Sequence, residues 1–237
     1  MIGRPRIHVP ECESTQLLLD ATLPEGAVAT TDHQTGGRGR LGRTWVDAPS
    51  TAVLCSVLLK PPRDRRAAEL TLVGGLAAAE TIEVMLGRPA QLKWPNDVLV
   101  DGRKVSGGLA DLRDGAVVLG IGVNVNQTAE QLPSDTRTAS GSLRTIDGRT
   151  REVELVLDAL LQTLDAAYAT WLADGLPALH PRIAARDFLR GRRVTVDDVT
   201  GIALAIRGDG ALELETPSGM VAVESGEARI LTTSTTS

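Results

Sequence analysis

The sequence predicts an α+β fold with a small C-terminal β-barrel. Three observations carry this. Strand-like runs follow one another in hairpin order, with helical segments between groups of strands rather than after each one, which is not the rhythm of a doubly wound α/β sheet. Glu152 to Trp171 places Val153, Leu157, Leu160, Leu161, Leu164 and Tyr168 on one helical face. From Gly191 onward the pattern becomes short alternating strands with tight turns. A boundary therefore falls near Arg190, dividing the chain into residues 1–189 and 190–232, with a low-complexity tail at 233–237 expected to be disordered.

The elements can be justified in order. Ser14 is placed to N-cap a short helix over Gln16 to Ala21. Ala27 to Thr31 reads as a strand, and Thr51 to Leu59, rich in Val and Leu, as a buried one. Arg65 to Leu86 has helical spacing through Leu70, Val73, Ala77 and Ile82. Gly74 and Gly75 inside it imply close packing rather than a break. The Arg63 to Arg66 charge run is the solvated start of that helix. Asp101-Gly102 lies between two β-rich runs, a hairpin signal. Arg113 to Gly115 is a second turn, leading to the strand Val117 to Val125. After the boundary, alternation at Val194/Val196, Leu204/Ile206 and Leu212/Leu214 gives about five strands, with turns at 208–210 and 217–219. A unit that small is marginal alone and is expected to pack on the larger one.

Composition narrows the function. Hydrophobic residues make up 42% of 237, enough for a packed core, and no apolar run reaches bilayer length. The net charge of −5 argues against nucleic acid as the main partner. Cys12 and Cys55 lack metal or redox spacing and fit a reducing cytosol; with no signal-peptide pattern at the N-terminus, a cytoplasmic location is expected. The three histidines are scattered, so no His-based metal site is expected.

Chemistry concentrates in two stretches. Lys93 to Gly108 reads K-W-P-N-D-V-L-V-D-G-R-K-V-S-G-G. Only three of the 25 basic residues are lysine, and two of them, Lys93 and Lys104, bracket Asn96 and Asp97. A compact ammonium is not replaced by the planar guanidinium fork, so this segment looks built for a small anionic group. Residues 34–43 read Q-T-G-G-R-G-R-L-G-R. Gly36, Gly37, Gly39 and Gly42 allow close backbone approach and an anion-binding nest, and Arg38, Arg40 and Arg43 add forks suited to carboxylate or phosphate. Gly37, Gly39 and Gly42 also match G-x-G-x-x-G, but no amphipathic helix follows, which counts against a dinucleotide fold. A flexible basic loop touching nucleic acid is the plainer alternative.

Together these stretches resemble the biotin protein ligases. The matches are the G-R-G-R-x-G-R loop at Gly37 to Arg43, K-W-P-N-D at Lys93 to Asp97, and the lysine before a small-residue strand at Lys104 to Leu109. E-C-E-S-T-Q at Glu11 to Gln16 resembles E-x-x-S-T-N, with Gln16 where Asn is usual. G-I-G-V-N-V-N at Gly120 to Asn126 resembles the family's late glycine-rich strand. Ala205-Ile206 stand where Gly-Ile is usual.

The resemblance implies a mixed sheet with flanking helices, of the class II synthetase-like biotin/lipoate ligase type, and an SH3-like C-terminal domain. It implies a ligase that joins biotin to ATP as biotinyl-5'-AMP, then passes biotin to a lysine of a biotin carboxyl carrier domain. Lipoate protein ligase of the same fold is the alternative. Family members that also repress transcription carry an N-terminal helix-turn-helix domain, for which there is no room before Ser14, so the short form without DNA binding is expected. The oligomeric state and the particular carboxylase stay open.

By resemblance, Lys104 lies between the biotin carboxylate and the α-phosphate. Arg40 and Arg43 hold phosphates, and Arg38 closes the loop over biotin. Asp97 holds Mg²⁺ or orients the acceptor amine. Asn96 and Asn124 meet metal-bound phosphate or adenine, and Lys93 meets phosphate or pairs with Asp97. Ser14, Thr15, Gln16 and Gln34 meet the ureido ring, with Gly37, Gly39, Gly120 and Gly122 shaping the biotin pocket. Trp94 walls the ATP side or belongs to the core. Trp45 is read as a hinge anchor and Trp171 as core.

Overall fold

The computed structural model describes residues 1–134, 136 and 138–231, so the tail expected to be disordered, 233–237, lies outside the described residues. Seven strands form one sheet: β1 (Arg6–Cys12), β2 (Val28–Gln34), β3 (Ala52–Leu59), β4 (Gln91–Lys93), β5 (Asp97–Val100), β6 (Arg103–Arg113) and β7 (Ala116–Asn124). Their order is β1-β2-β3-β7-β6-β5-β4. β1 runs parallel to β2 and the other neighbours pair antiparallel, so the sheet is mixed. Pro10 is tolerated in β1 because that strand is an edge. β3 is buried along its whole length, and its sequence is apolar except for Ser56. Both hairpin readings hold. Asp101 and Gly102 have φ of 50° and 74°, and Asp114 and Gly115 have 48° and 78°, the paired positive φ of a two-residue hairpin turn.

Among the described residues four α-helices accompany the sheet: α1 (Leu70–Leu86), α2 (Leu143–Asp147), α3 (Val153–Asp174) and α4 (Leu176–Ala184). α1 lies close on one face of the sheet. A Cβ on Gly74 would meet Leu119 Cδ2 at 3.1 Å, and one on Gly75 would meet Leu92 Cδ2 at 3.3 Å. Because side chains alternate along a strand, Leu119 and Ile121 face α1 while Gly120 and Gly122 face the other way. That opposite face carries the site.

Several local readings need correction. Arg63 to Arg66 precede the helix rather than start it, since Ala67–Glu69 form a 3-10 turn and α1 begins at Leu70. Ser14 precedes only a four-residue 3-10 turn, Thr15–Leu18, and its side chain makes no capping bond. Thr15 and Gln16 are instead held by tertiary hydrogen bonds, and Asp20 accepts from Thr22 N to form the next turn. α2 and α4 have no counterpart in the sequence reading. α2 has five residues, too few for a periodic signal, and α4 contains Pro181.

The C-terminal sheet is antiparallel throughout: β8 (Arg193–Val196), β9 (Val199–Ile206), β10 (Leu212–Thr216), β11 (Gly219–Val223) and β12 (Ala228–Ile230), in the order β11-β10-β9-β8-β12. It packs on the larger unit as its size requires. Leu189, Val194, Ile206, Leu212 and Leu214 join one apolar cluster with Val73, Leu76 and Leu176. Asp187 fastens the junction, accepting from Leu189 N at 2.9 Å and Ile206 N at 3.1 Å. Burial pushes its carboxyl above the usual range, so the two amides only partly offset desolvation.

Candidate active site

The site is a cleft floored by glycine. Gly107 pairs with Gly122 and Leu109 with Gly120 across β6 and β7, while Leu54 and Ser56 of β3 lie beside Gly122 and Gly120. The glycines are required by what lies on them. A Cβ on Gly122 would fall 2.5 Å from the Trp45 ring, and one on Gly120 would fall 3.1 Å from Gln16 Nε2. From Gly120 to Asn124 the floor runs about 13 Å at the usual strand rise.

One end is neutral and hydrogen-bonding. Thr15 N donates to Gln34 Oε1 at 2.9 Å, Thr15 and Ser56 share a hydroxyl hydrogen bond of 2.8 Å, and Gln16 Nε2 donates to Leu109 O at 3.0 Å. Ser14 is buried beside them.

The other end is cationic. A β-bulge opposite Val98/Leu99 pairs Leu99 with Lys104 but Asp97 with Gly107. The extra residue puts Lys104 and Gly107 on one face. The Lys104 ammonium therefore lies over Gly107, 2.6 Å from Asp97 Oδ1 and 5.8 Å from the Trp45 ring centre. Lys93 Nζ donates to Thr138 Oγ1 at 2.8 Å. Arg40 donates to Gly226 O at 3.3 Å, and Arg43 pairs with Glu227, both from the C-terminal unit. Arg38 reaches Glu13 at 3.7 Å. Burial lowers the pKa of Arg40 and of Lys93, and the Asp97 carboxylate opposes this in both. An arriving polyanion would remove that penalty.

Nearly every residue singled out in the sequence lines this one cleft: Ser14, Thr15, Gln16, Gln34, Arg38, Gly39, Arg40, Arg43, Lys93, Trp94, Asn96, Asp97, Lys104, Gly120, Gly122 and Asn124. Gly37 acts indirectly, since a Cβ there would fall 2.5 Å from Trp45 O. Several expected contacts are redirected. Lys93 bonds Thr138, and it is Lys104 that takes Asp97. Asn96 Nδ2 donates to Gly108 O, Asn124 Nδ2 donates to Gly141 O, and Asn124 Oδ1 accepts from Gln127 Nε2. Both asparagines thus brace the cleft walls. Trp94 is core, 2% exposed, its indole N–H donating to Gly210 O at 3.0 Å.

Trp45, Thr138 and Gly226 to Ala228 also line the cleft and were not foreseen from the sequence. For Trp45 the signal was its place after the Gly-Arg loop; the others carry none. For Mg²⁺, no cluster of three or more His, Cys, Asp or Glu suited to a metal exists among the described residues. Asp97 is met by the Lys104 ammonium, so the described residues form no closed all-protein cage for Mg²⁺.

Residues 9–127 match the biotin/lipoate A/B protein ligase family, and residues 191–229 match the biotin protein ligase C terminal domain. The second match decides between the two branches of the first. The chain belongs to the biotin protein ligases. Relatives agree. The biotin–[acetyl-CoA-carboxylase] ligase of Mycobacterium tuberculosis is 33% identical, covering 86% of this chain and 78% of its own length. The bifunctional ligase/repressor BirA of Bacillus subtilis is 28% identical, covering 97% and 75%. The biotin protein ligase from Aquifex aeolicus in complex with biotin and ATP superposes with a TM-score of 0.88 at 29% identity, covering 97% of this chain and 99% of the other. In this ligase the mixed sheet carries the cleft, and residues 226–227 of the small C-terminal unit meet Arg40 and Arg43 at its cationic end. No helix among the described residues is long and apolar enough to cross a membrane.

Proposed function

We propose that the cleft performs both half-reactions of biotin ligation. Biotin lies along the glycine floor with its ureido ring among Ser14, Thr15, Gln16 and Gln34 and its carboxylate directed at Lys104. ATP enters at the cationic end, where Arg40, Arg43 and Lys93 receive the phosphates and Arg38 secures the loop. The carboxylate oxygen attacks the α-phosphorus, pyrophosphate leaves, and biotinyl-5'-AMP stays. An acceptor lysine amine then attacks the acyl carbon and AMP departs. The acceptor is the biotin carboxyl carrier domain of a carboxylase, met in the cytoplasm. Residues 1–189 form the catalytic body, and 190–232 close its phosphate end.

The observation that carries this reading is the Lys104 ammonium, set between a neutral head end and a cationic end on one continuous floor. A carboxylate and a polyphosphate repel at close range, and fixed cations in a partly dry cleft remove that barrier without reorganising. Asp97 holds Lys104 in place from below. Mg²⁺ neutralises phosphate charge when ATP carries it, and the residues here contribute no step through it.

The test is incubation of the pure protein with biotin, ATP, Mg²⁺ and a carrier domain, followed by mass spectrometry of the carrier. A biotinyl mass gain is expected. Lipoyl transfer without biotinyl transfer would overturn the reading.

A further inference from the structure

The strand that enters the Gly-Arg loop and the segment that leaves it are joined by a side-chain pair outside the cleft lining. His33 Nδ1 lies 2.9 Å from Asp47 Oδ2, and Gln34 N donates to Asp47 Oδ1 at 3.4 Å. The Asp47 side chain has no exposed surface, whereas His33 keeps 29% of its own. An ionised carboxylate only accepts, so Nδ1 carries the hydrogen. Neither residue is among those lining the cleft, and the chemistry proposed above gives neither a task.

A carboxylate out of water is costly unless donors meet it. Here the donors lie on β2 and the acceptor lies beyond the loop. Backbone bonds make the loop a small hairpin: Gly39 N donates to Arg43 O at 2.7 Å and Trp45 N donates to Gly37 O at 2.9 Å. Those bonds are internal and leave the hairpin free to swing as a unit. Its entry side is fixed, because Thr35 N and Gly36 N donate to Cys12 O and Glu13 O, each at 2.9 Å. Its exit side returns to β2 by a backbone bond only at Ser50, whose N donates to Asp32 O at 2.8 Å. Between Trp45 and Ser50 it is the Asp47 side chain that reaches β2.

We propose that His33 and Asp47 are positioning residues, a tether that holds the Gly-Arg hairpin down on the glycine floor before substrates arrive. Trp45 is two residues from Asp47, and its ring sits where a Cβ on Gly122 would fall 2.5 Å away, so a small swing of the exit segment lifts the indole off the floor. This rests on the biotin ligase reading of the cleft and adds to it what forms the binding state in advance. The tether sets the fraction of free molecules whose loop is competent, and apparent affinity scales with that fraction.

His33→Leu deletes the donor, and His33→Asn puts an N–H back near the Nδ1 position. Pyrophosphate release by the full chain is followed for wild type and both variants, with biotin and ATP varied in turn. His33→Leu should raise both KM values about tenfold, as expected if the competent fraction falls to about a tenth. The kcat should stay near wild type, because saturating substrates repopulate the closed loop and Lys104 sits on β6. His33→Asn should recover most of the affinity, and trypsin should cut the ligand-free Leu variant faster than wild type after Arg38, Arg40 or Arg43. A lower melting temperature with unchanged KM values would overturn the proposal, as would a fall in kcat alone or an Asn variant no better than Leu. A wild-type measurement decides the matter if the Leu variant does not fold. Proton–nitrogen correlation spectra of the His33 ring, at a pH where it is neutral, should show the Nδ1–H tautomer, and the Nε2–H tautomer would overturn the tether. Pyrophosphate release by the wild type with lipoate and not with biotin would sink the biotin reading instead, and the trypsin rates and the tautomer would still decide the tether.

Discussion

Lys104 and Asp97 form an ion pair of 2.6 Å across a β-bulge, with the ammonium lying against Gly107. The bulge brings Lys104 to the cleft face and the carboxylate fixes its direction. Truncation of Lys104 to alanine should leave the fold intact, because its side chain packs on the cleft rather than in the core. Adenylate formation should fall at least about a hundredfold, the usual loss when one charged donor to a developing anion is removed. Pyrophosphate release at the wild-type rate would contradict the assignment.

The same pair bears on Asp97. If the carboxylate serves chiefly to hold Lys104, Asp97→Asn should slow adenylation, and added Mg²⁺ should not restore it. Pyrophosphate release measured across a Mg²⁺ titration separates the cases. Recovery at high Mg²⁺ would return Asp97 to a metal role, whereas normal adenylation with slow transfer from preformed adenylate would assign it to the acceptor amine.

Much of this site was legible because its chemistry is concentrated in short runs. Lysine scarcity pointed to Lys93 and Lys104, and glycine-arginine alternation pointed to residues 36–43. What sequence could not supply was partnership. Whether Lys93 or Lys104 takes Asp97 depends on one bulged residue, Val105, which no local pattern marks. The amide commitments of Asn96 and Asn124 depend on Gly108 and Gly141, twelve and seventeen residues away. Thr138 and Gly226 enter the cleft only through tertiary closure. The fold followed the same division: the hairpins and α3 were visible in turns and period, while α2, α4 and the 3-10 turn after Ser14 were set by length, proline and tertiary bonds.

Gly122 offers a test of the floor. A Cβ there would fall 2.5–3.0 Å from three ring atoms of Trp45, too close for either group to keep its place. Gly122→Ala should displace the indole and raise the KM for biotin at least about tenfold, since a misplacement of about 1 Å is commonly felt at that level. Intrinsic fluorescence of the free protein should shift as Trp45 moves. An unchanged spectrum and KM would show that the indole does not rest on the floor in solution.

The Gly-Arg loop is expected to protect its bonds unevenly. Arg40 is tied to Gly226 O and Arg43 to Glu227, while the Arg38 side chain makes a partly exposed contact with Glu13. Limited trypsin digestion should cut first after Arg38, and saturating biotin plus ATP should suppress cleavage after all three arginines. Equal cutting with and without ligands would remove the loop from the role of lid.

Trp94 joins the K-W-P-N-D turn to the C-terminal sheet through its bond to Gly210 O, and its ring is buried at 2% exposure. Trp94→Phe keeps most of the apolar contact and deletes the donor, leaving the Gly210 carbonyl short of a partner. That should cost about 1 kcal/mol of stability. The larger consequence should be functional. Asn96 and Asp97 follow directly in the chain, and Arg40 and Arg43 are anchored to the same C-terminal unit at 226–227. Loosening the junction should therefore raise the KM for ATP more than the KM for biotin, whose proposed head site lies among Thr15, Gln16 and Gln34 at the far end of the cleft. Thermal melting beside substrate titrations would check both parts. A lower melting temperature with both KM values unchanged would reduce Trp94 to a packing residue and detach the C-terminal sheet from the phosphate end.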